Sequence, residues 1–196
     1  MLASITPLGE RGRRSRWTAT VVAFLLGATA AGVLAGALLG LAGSLLSPAV
    51  LGWSARLAVL ALAALVALAL DVGPLRVPGP RRQVNERWRD EYRGWVYGVG
   101  YGAQLGLGVT TVVSSAATYV ALLAALLSGS PARGMLMVGL FGLVRGAQPL
   151  MTVRVHRPDQ LLDLHTWLLR WRWRAVSFCV TLTGAIAVLA AVGIVA

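Results

Sequence analysis

Apolar residues run along this chain in long unbroken stretches, and the charged residues gather between them. A helix needs about 20 apolar residues to cross roughly 30 Å of hydrocarbon. Five stretches meet that length, at residues 18–46, 50–70, 95–127, 135–153 and 175–196. Continuous apolarity, with no two-residue alternation, excludes a barrel strand pattern and predicts helices, which satisfy their own backbone polar groups in lipid. The expected fold is an all-α transmembrane bundle of about five spans in a single membrane domain over residues 1–196. The predicted loops at residues 71–94 and 154–174 carry most of the remaining polarity.

The positive charges orient this map. Arg11, Arg13, Arg14 and Arg16 precede the first span. Arg76, Arg81, Arg82, Arg87, Arg89 and Arg93 follow the second, and Arg154, Arg157, Arg170, Arg172 and Arg174 precede the fifth. Placing these three segments on the cytoplasmic side leaves only Arg133, in the turn after Ser128-Gly129-Ser130-Pro131, on the other. The positive-inside rule then predicts the N-terminus inside and the C-terminus outside a plasma (inner) membrane. Trp17, Trp88, Trp95, Trp167, Trp171 and Trp173 flank the span entrances on the inner side and Trp53 the outer, as an aromatic belt does. The first apolar run is much longer than a signal-peptide core, so it reads as a retained span.

Two polar segments carry helical signals. Pro158-Asp159 starts a helix whose Leu161, Leu164, Leu168 and Trp171 recur on one face, the pattern of an interfacial amphipathic helix leading into the last span. Between Gln83 and Arg93, pairs such as Arg87 with Glu91 and Asp90 with Arg93 support a short solvated helix entering the third.

Composition fits this reading. The chain has 196 residues, 57% of them hydrophobic and 13% charged, with a mean hydropathy of +0.73. Those values exclude a soluble enzyme or a disordered tail. The net charge of +11 comes from 18 arginines, with no lysine. They flank apolar spans, so the charge marks topology and gives no support to nucleic-acid binding.

Polar groups inside spans are the candidates for function. Arg145 lies near the centre of the fourth span, followed by Gln148 and the helix-kinking Pro149. Asp71 is the only acid in a span and the obvious counter-ion for Arg145, although it lies at a different depth. Gln104, Thr111, Ser115 and Thr118 are spaced to share a helix face. Gly32, Gly36 and Gly40, like Gly94, Gly98, Gly102 and Gly106, recur every four residues, which favours close helix packing. Gly106 and Gly108 also form a weak point where the third helix can bend or unwind, as the broken helices of secondary transporters do. A charge just upstream of Pro-Leu, at Asp71 and again at Arg145, hints at an internal repeat.

The run Tyr92-Arg93-Gly94-Trp95-Val96-Tyr97-Gly98-Val99-Gly100-Tyr101-Gly102-Ala103-Gln104-Leu105-Gly106-Leu107-Gly108 and the later Phe141-Gly142-Leu143-Val144-Arg145-Gly146 resemble glycine-rich helix entrances of small bacterial membrane proteins. These are the thiol–disulfide carriers of the cytochrome c biogenesis (DsbD/CcdA-like) type and the sulfite-exporter-like (TauE/SafE-like) proteins. The resemblance implies a polytopic bundle, of six or more spans in most members. The redox members of that group work through a pair of intramembrane cysteines. Here Cys179 stands alone, so no dithiol forms within one chain.

His156 and His165 lack the partners of a metal set, and no catalytic or cofactor motif occurs. The sequence therefore predicts no enzyme, no cofactor and no metal. The leading expectation is a small-solute transporter or export component, with Arg145, Gln148 and the face from Gln104 to Thr118 along its path. The alternative is a non-catalytic membrane subunit, or an assembly or redox-associated factor, that docks a partner through its arginine-rich cytoplasmic segments. The expected partners are the lipid bilayer, a membrane or soluble protein, or a second copy joined through the glycine faces.

Overall fold

A computed structural model describes residues 5–12, 16–45, 51–73, 77–79, 92–110, 113 and 115–195. Among them the regular structure is helical throughout. The helices are α1 (Pro7–Gly12), α2 (Trp17–Leu45), α3 (Trp53–Val72), α4 (Gly94–Gly106), α5 (Ala117–Leu127), α6 (Pro131–Gly146) and α7 (Pro158–Val195). A 3₁₀ turn, Gln148–Thr152, follows α6, with Pro149 in its first turn. Among the described residues four helical stretches are long and apolar enough to cross a membrane: Trp17–Leu45, Trp53–Val72, Pro131–Thr152 and Pro158–Ile194. The chain is a multi-pass membrane protein.

The third expected crossing differs from the rest. It is split into α4 and α5, of 13 and 11 residues, about 20 and 16 Å long at 1.5 Å per residue, so neither half reaches across alone. The amphipathic segment expected before the last span is the first part of one 38-residue helix. Its start is fixed by Gln160, whose Oε1 accepts from the backbone N–H groups of His156 (2.7 Å) and Arg157 (3.1 Å), as a third-position Gln does in a capping box. The helix expected between Gln83 and Arg93 lies almost wholly outside the described residues.

By its contacts the chain divides into two compact units. The first comprises Met1–Gly32, Arg82–Thr111 and Gly139–Arg172. In it the first half of α2 lies against α4 so closely that a Cβ added to Gly98, Gly102 or Gly106 would meet the carbonyl oxygens of Thr20, Phe24 and Ala28 at 2.7, 2.1 and 2.1 Å. The partners rise together in number, so α2 and α4 run parallel. Gly142 meets Ala28 and Gly146 meets Leu25, an order that runs the other way, so α6 is antiparallel to α2. The core around these contacts is Ile5, Val21, Phe24, Tyr97, Tyr101 and Leu105, with Trp17 packed on it. Tyr97 and Tyr101 stack as tilted rings 5.6 Å apart.

The second unit comprises Val33–Arg81, Val112–Val138 and Trp173–Ala196. Here the second half of α2 meets the start of α6. A Cβ on Gly36 or Gly134 would lie 2.1 Å from the other's carbonyl oxygen, and one on Gly40 would lie 2.3 Å from that of Ser130. Such approaches need a bare Cα on at least one of the two helices. A second cluster, Ala64, Ala67, Ala116, Val120 and Ala187, joins α3, α5 and α7, with Leu60, Leu70, Val77 and Ile186 around it.

Candidate functional site

The break in the third crossing is where charge is spent. Both half-helices are followed by a glycine in the left-handed region, Gly108 at φ 77° and Gly129 at φ 57°, which terminates each helix at low steric cost. A helix as short as α5 cannot bring both ends to water, and its terminal amides and carbonyls cannot be left to lipid. Helix α3 supplies partners at both ends. Asp71, in its last turn, accepts from the Ser115 hydroxyl at 2.7 Å and from the Ala116 backbone N–H at 2.8 Å. The Ser115 oxygen in turn accepts from the Ala117 N–H at 3.2 Å. At the opposite end Arg56, in the first turn of α3, donates from Nη1 to the Leu127 carbonyl and from Nε to that of Leu51, both at 3.1 Å. An acid at the N-terminus of α5 and a base at its C-terminus also complement its macrodipole, by roughly 0.3–1 kcal/mol each.

This arrangement revises the polar face read from spacing. Because helix α4 stops at Gly106, Gln104, Ser115 and Thr118 do not lie along one helix. Gln104 is half-buried in α4 and its carbonyl accepts from the Thr110 hydroxyl. Ser115 belongs to the linker and Thr118 is buried in α5. Thr111 lies outside the described residues. Asp71, expected beside Arg145, has both carboxylate oxygens engaged within the second unit.

Arg145 lies in the first unit, in the last turn of α6. Its guanidinium is turned back over the ring of Phe141, 5.3 Å from the centroid. The stretch from Pro131 to Thr152 has 22 residues, about 33 Å, and Phe141 lies about 15 Å along it, so the charge lies about halfway along an apolar helix of crossing length. A cation there costs at least about 2.5–3.5 kcal/mol on insertion scales. The ring recovers about 0.5–2 and the last-turn position about 0.3–1, which leaves the five N–H donors to be satisfied. Among the described residues they meet no hydrogen-bond acceptor or carboxylate. Arg145 sits at the margin of α6, half-buried, beside exposed Leu140, Val144 and Gln148. Pro149 is buried in the turn below.

A second acidic site lies outside the patterns read from the sequence. Glu10, at the end of α1, is fully buried. It accepts from the Thr20 hydroxyl of α2 at 3.1 Å and from the Tyr97 hydroxyl of α4. Thr6 caps α1, its Oγ1 accepting from the Gly9 N–H at 3.0 Å, with Pro7 at the first helical position as helix starts favour. The segment is also tied by the Thr152 hydroxyl, which donates to the Ile5 carbonyl at 2.9 Å. The Thr-Pro-Leu-Gly start is the local sequence signal for this helix, and the burial of Glu10 follows only from packing.

Cys179 is half-buried in α7, and the sequence holds no second cysteine. Among the described residues no group of His, Cys, Asp and Glu could hold a metal ion.

The chain is similar to proteins called methylamine utilization protein MauF. It is 32% identical to that of Methylobacillus flagellatus over 89% of this chain and 63% of the relative. For Paracoccus versutus the figures are 33%, 73% and 54%, and for Methylorubrum extorquens 32%, 86% and 59%. The chain thus spans between about half and two thirds of the length of these relatives. No solved structure matches it significantly. A family model described as the cytochrome c biogenesis protein transmembrane region matches residues 2–190, nearly the whole bundle just described, and the chain belongs to that family.

Proposed function

We propose that this protein is a non-catalytic membrane component that serves methylamine utilization by docking and helping to assemble a partner protein. The observation that carries this reading is the similarity to methylamine utilization proteins over 73–89% of the chain. The internal chemistry supports it. Asp71 and Ser115, which a solute path would need free, are bonded to each other and to the start of α5. With one cysteine, the chain has no dithiol of its own to carry electrons in pairs. Arg170, Arg172 and Arg174 are exposed on the first part of α7, where a partner on the cytoplasmic side would find a cationic face.

Purification from native membranes in mild detergent tests this. The intact chain is expected to run with a partner as one complex on native electrophoresis. Changing Arg170, Arg172 and Arg174 together to Gln should release the chain, and the same strain should grow at least several-fold more slowly on methylamine. Arg145-dependent solute flux in proteoliposomes, with complex and growth unaffected by the triple change, would favour the transport reading instead.

A further inference from the structure

Among the described residues the Arg145 guanidinium of α6 meets no carboxylate, which points to a partner inside the membrane. Seven acidic residues occur in the sequence: Glu10, Asp71, Glu86, Asp90, Glu91, Asp159 and Asp163. Only Asp71 falls in a span, and its carboxylate is occupied by Ser115 and Ala116. Glu10 is sealed in the core. A second copy of this chain therefore has no free mid-span carboxylate to offer. Yet the Arg145 guanidinium lies over the Phe141 ring, about halfway along the apolar Pro131–Thr152 stretch, at the edge of a helix face whose Leu140 and Val144 are 57% and 63% exposed. A cation at that depth is stable when a carboxylate reaches it, and bidentate pairing suits a guanidinium.

We propose that Arg145 is an intramembrane docking residue for a transmembrane helix of another polypeptide that carries an Asp or Glu near its midpoint. The incoming helix lies against Leu140, Phe141, Val144 and Gln148. Its carboxylate accepts from the Arg145 guanidinium, and its apolar side chains cover the exposed face. The inference deepens the docking role proposed above and rests on it, adding a contact within the bilayer.

The test uses the full chain in bilayers with synthetic 21-residue Leu/Ala helices that bear Asp, Asn or Leu at the central position, association being read by energy transfer. The Asp helix should associate at least tenfold more strongly than the Leu helix. That preference should vanish in Arg145→Leu and survive in part in Arg145→Lys, with unchanged thermal melting certifying the fold of each variant. Equal association of the Asp and Leu helices overturns the proposal, as does a preference that persists in Arg145→Leu. Arg145-dependent binding of free sulfate without any helix preference also overturns it. The native complex separates the two claims. If the triple arginine change dissolves the complex while Arg145→Leu leaves it whole, the intramembrane contact fails and the docking role stands. If neither change affects the complex, both fail.

Discussion

Asp71 shows how a single charge becomes affordable in this bundle. Its two oxygens hold one hydroxyl and one backbone amide at the start of α5, so its removal leaves both half-buried donors without this acceptor. Losing such an acceptor costs about 1–3 kcal/mol. Asp71→Ala is therefore expected to lower the midpoint of thermal unfolding in detergent clearly, with Asp71→Asn losing about half as much because the amide oxygen still accepts. Equal melting of Asp71→Ala and the parent protein would refute the capping role. The sequence made Asp71 conspicuous as the sole acid in a span. It could not reveal the partner, because Ser115 and Ala116 are more than forty residues away and become neighbours only when α3 and α5 pack.

Helices were the most legible feature, since apolar runs of crossing length leave lipid-embedded backbone no other satisfied state. The ends of α2 and α3 fall within about three residues of the expected limits. The split of the third crossing was legible only as a weak point at Gly106 and Gly108. The extent of the gap depends on capping by α3, which no local pattern contains. The four-residue glycine spacing, in contrast, marks real close approaches. A Cβ on Gly102 would lie 2.1 Å from the Phe24 carbonyl oxygen, and overpacking of this kind costs about 1–3 kcal/mol. Gly102→Ala should destabilise by that amount in a detergent melt. Gly184→Ala, at a helical position with nothing within 4 Å, should be neutral or stabilising by up to about 1 kcal/mol. Similar losses at both sites would mean that the parallel contact of α2 and α4 is wrong.

For the whole molecule, relative helix directions fit a bundle of alternating crossings. α2 and α4 run parallel and α6 opposes α2, as alternate crossings require. With the arginine-rich segments on the cytoplasmic side, a reporter fused after Ala196 is expected outside the cell membrane and one inserted after Arg157 inside. A cytosolic reading at Ala196 would invert the map. Composition and the lengths of apolar runs were enough to determine residence in the membrane, the helical class and the approximate crossings, because hydrophobic burial in lipid acts on each segment by itself. Packing decided the rest: that α1 is drawn in by Glu10, that α3 caps α5 at both ends, and that Arg145 is laid over a phenyl ring. Those outcomes turn on which polar atom lies within 3 Å of which, a distance fixed by the contact between helices and by no single stretch of chain.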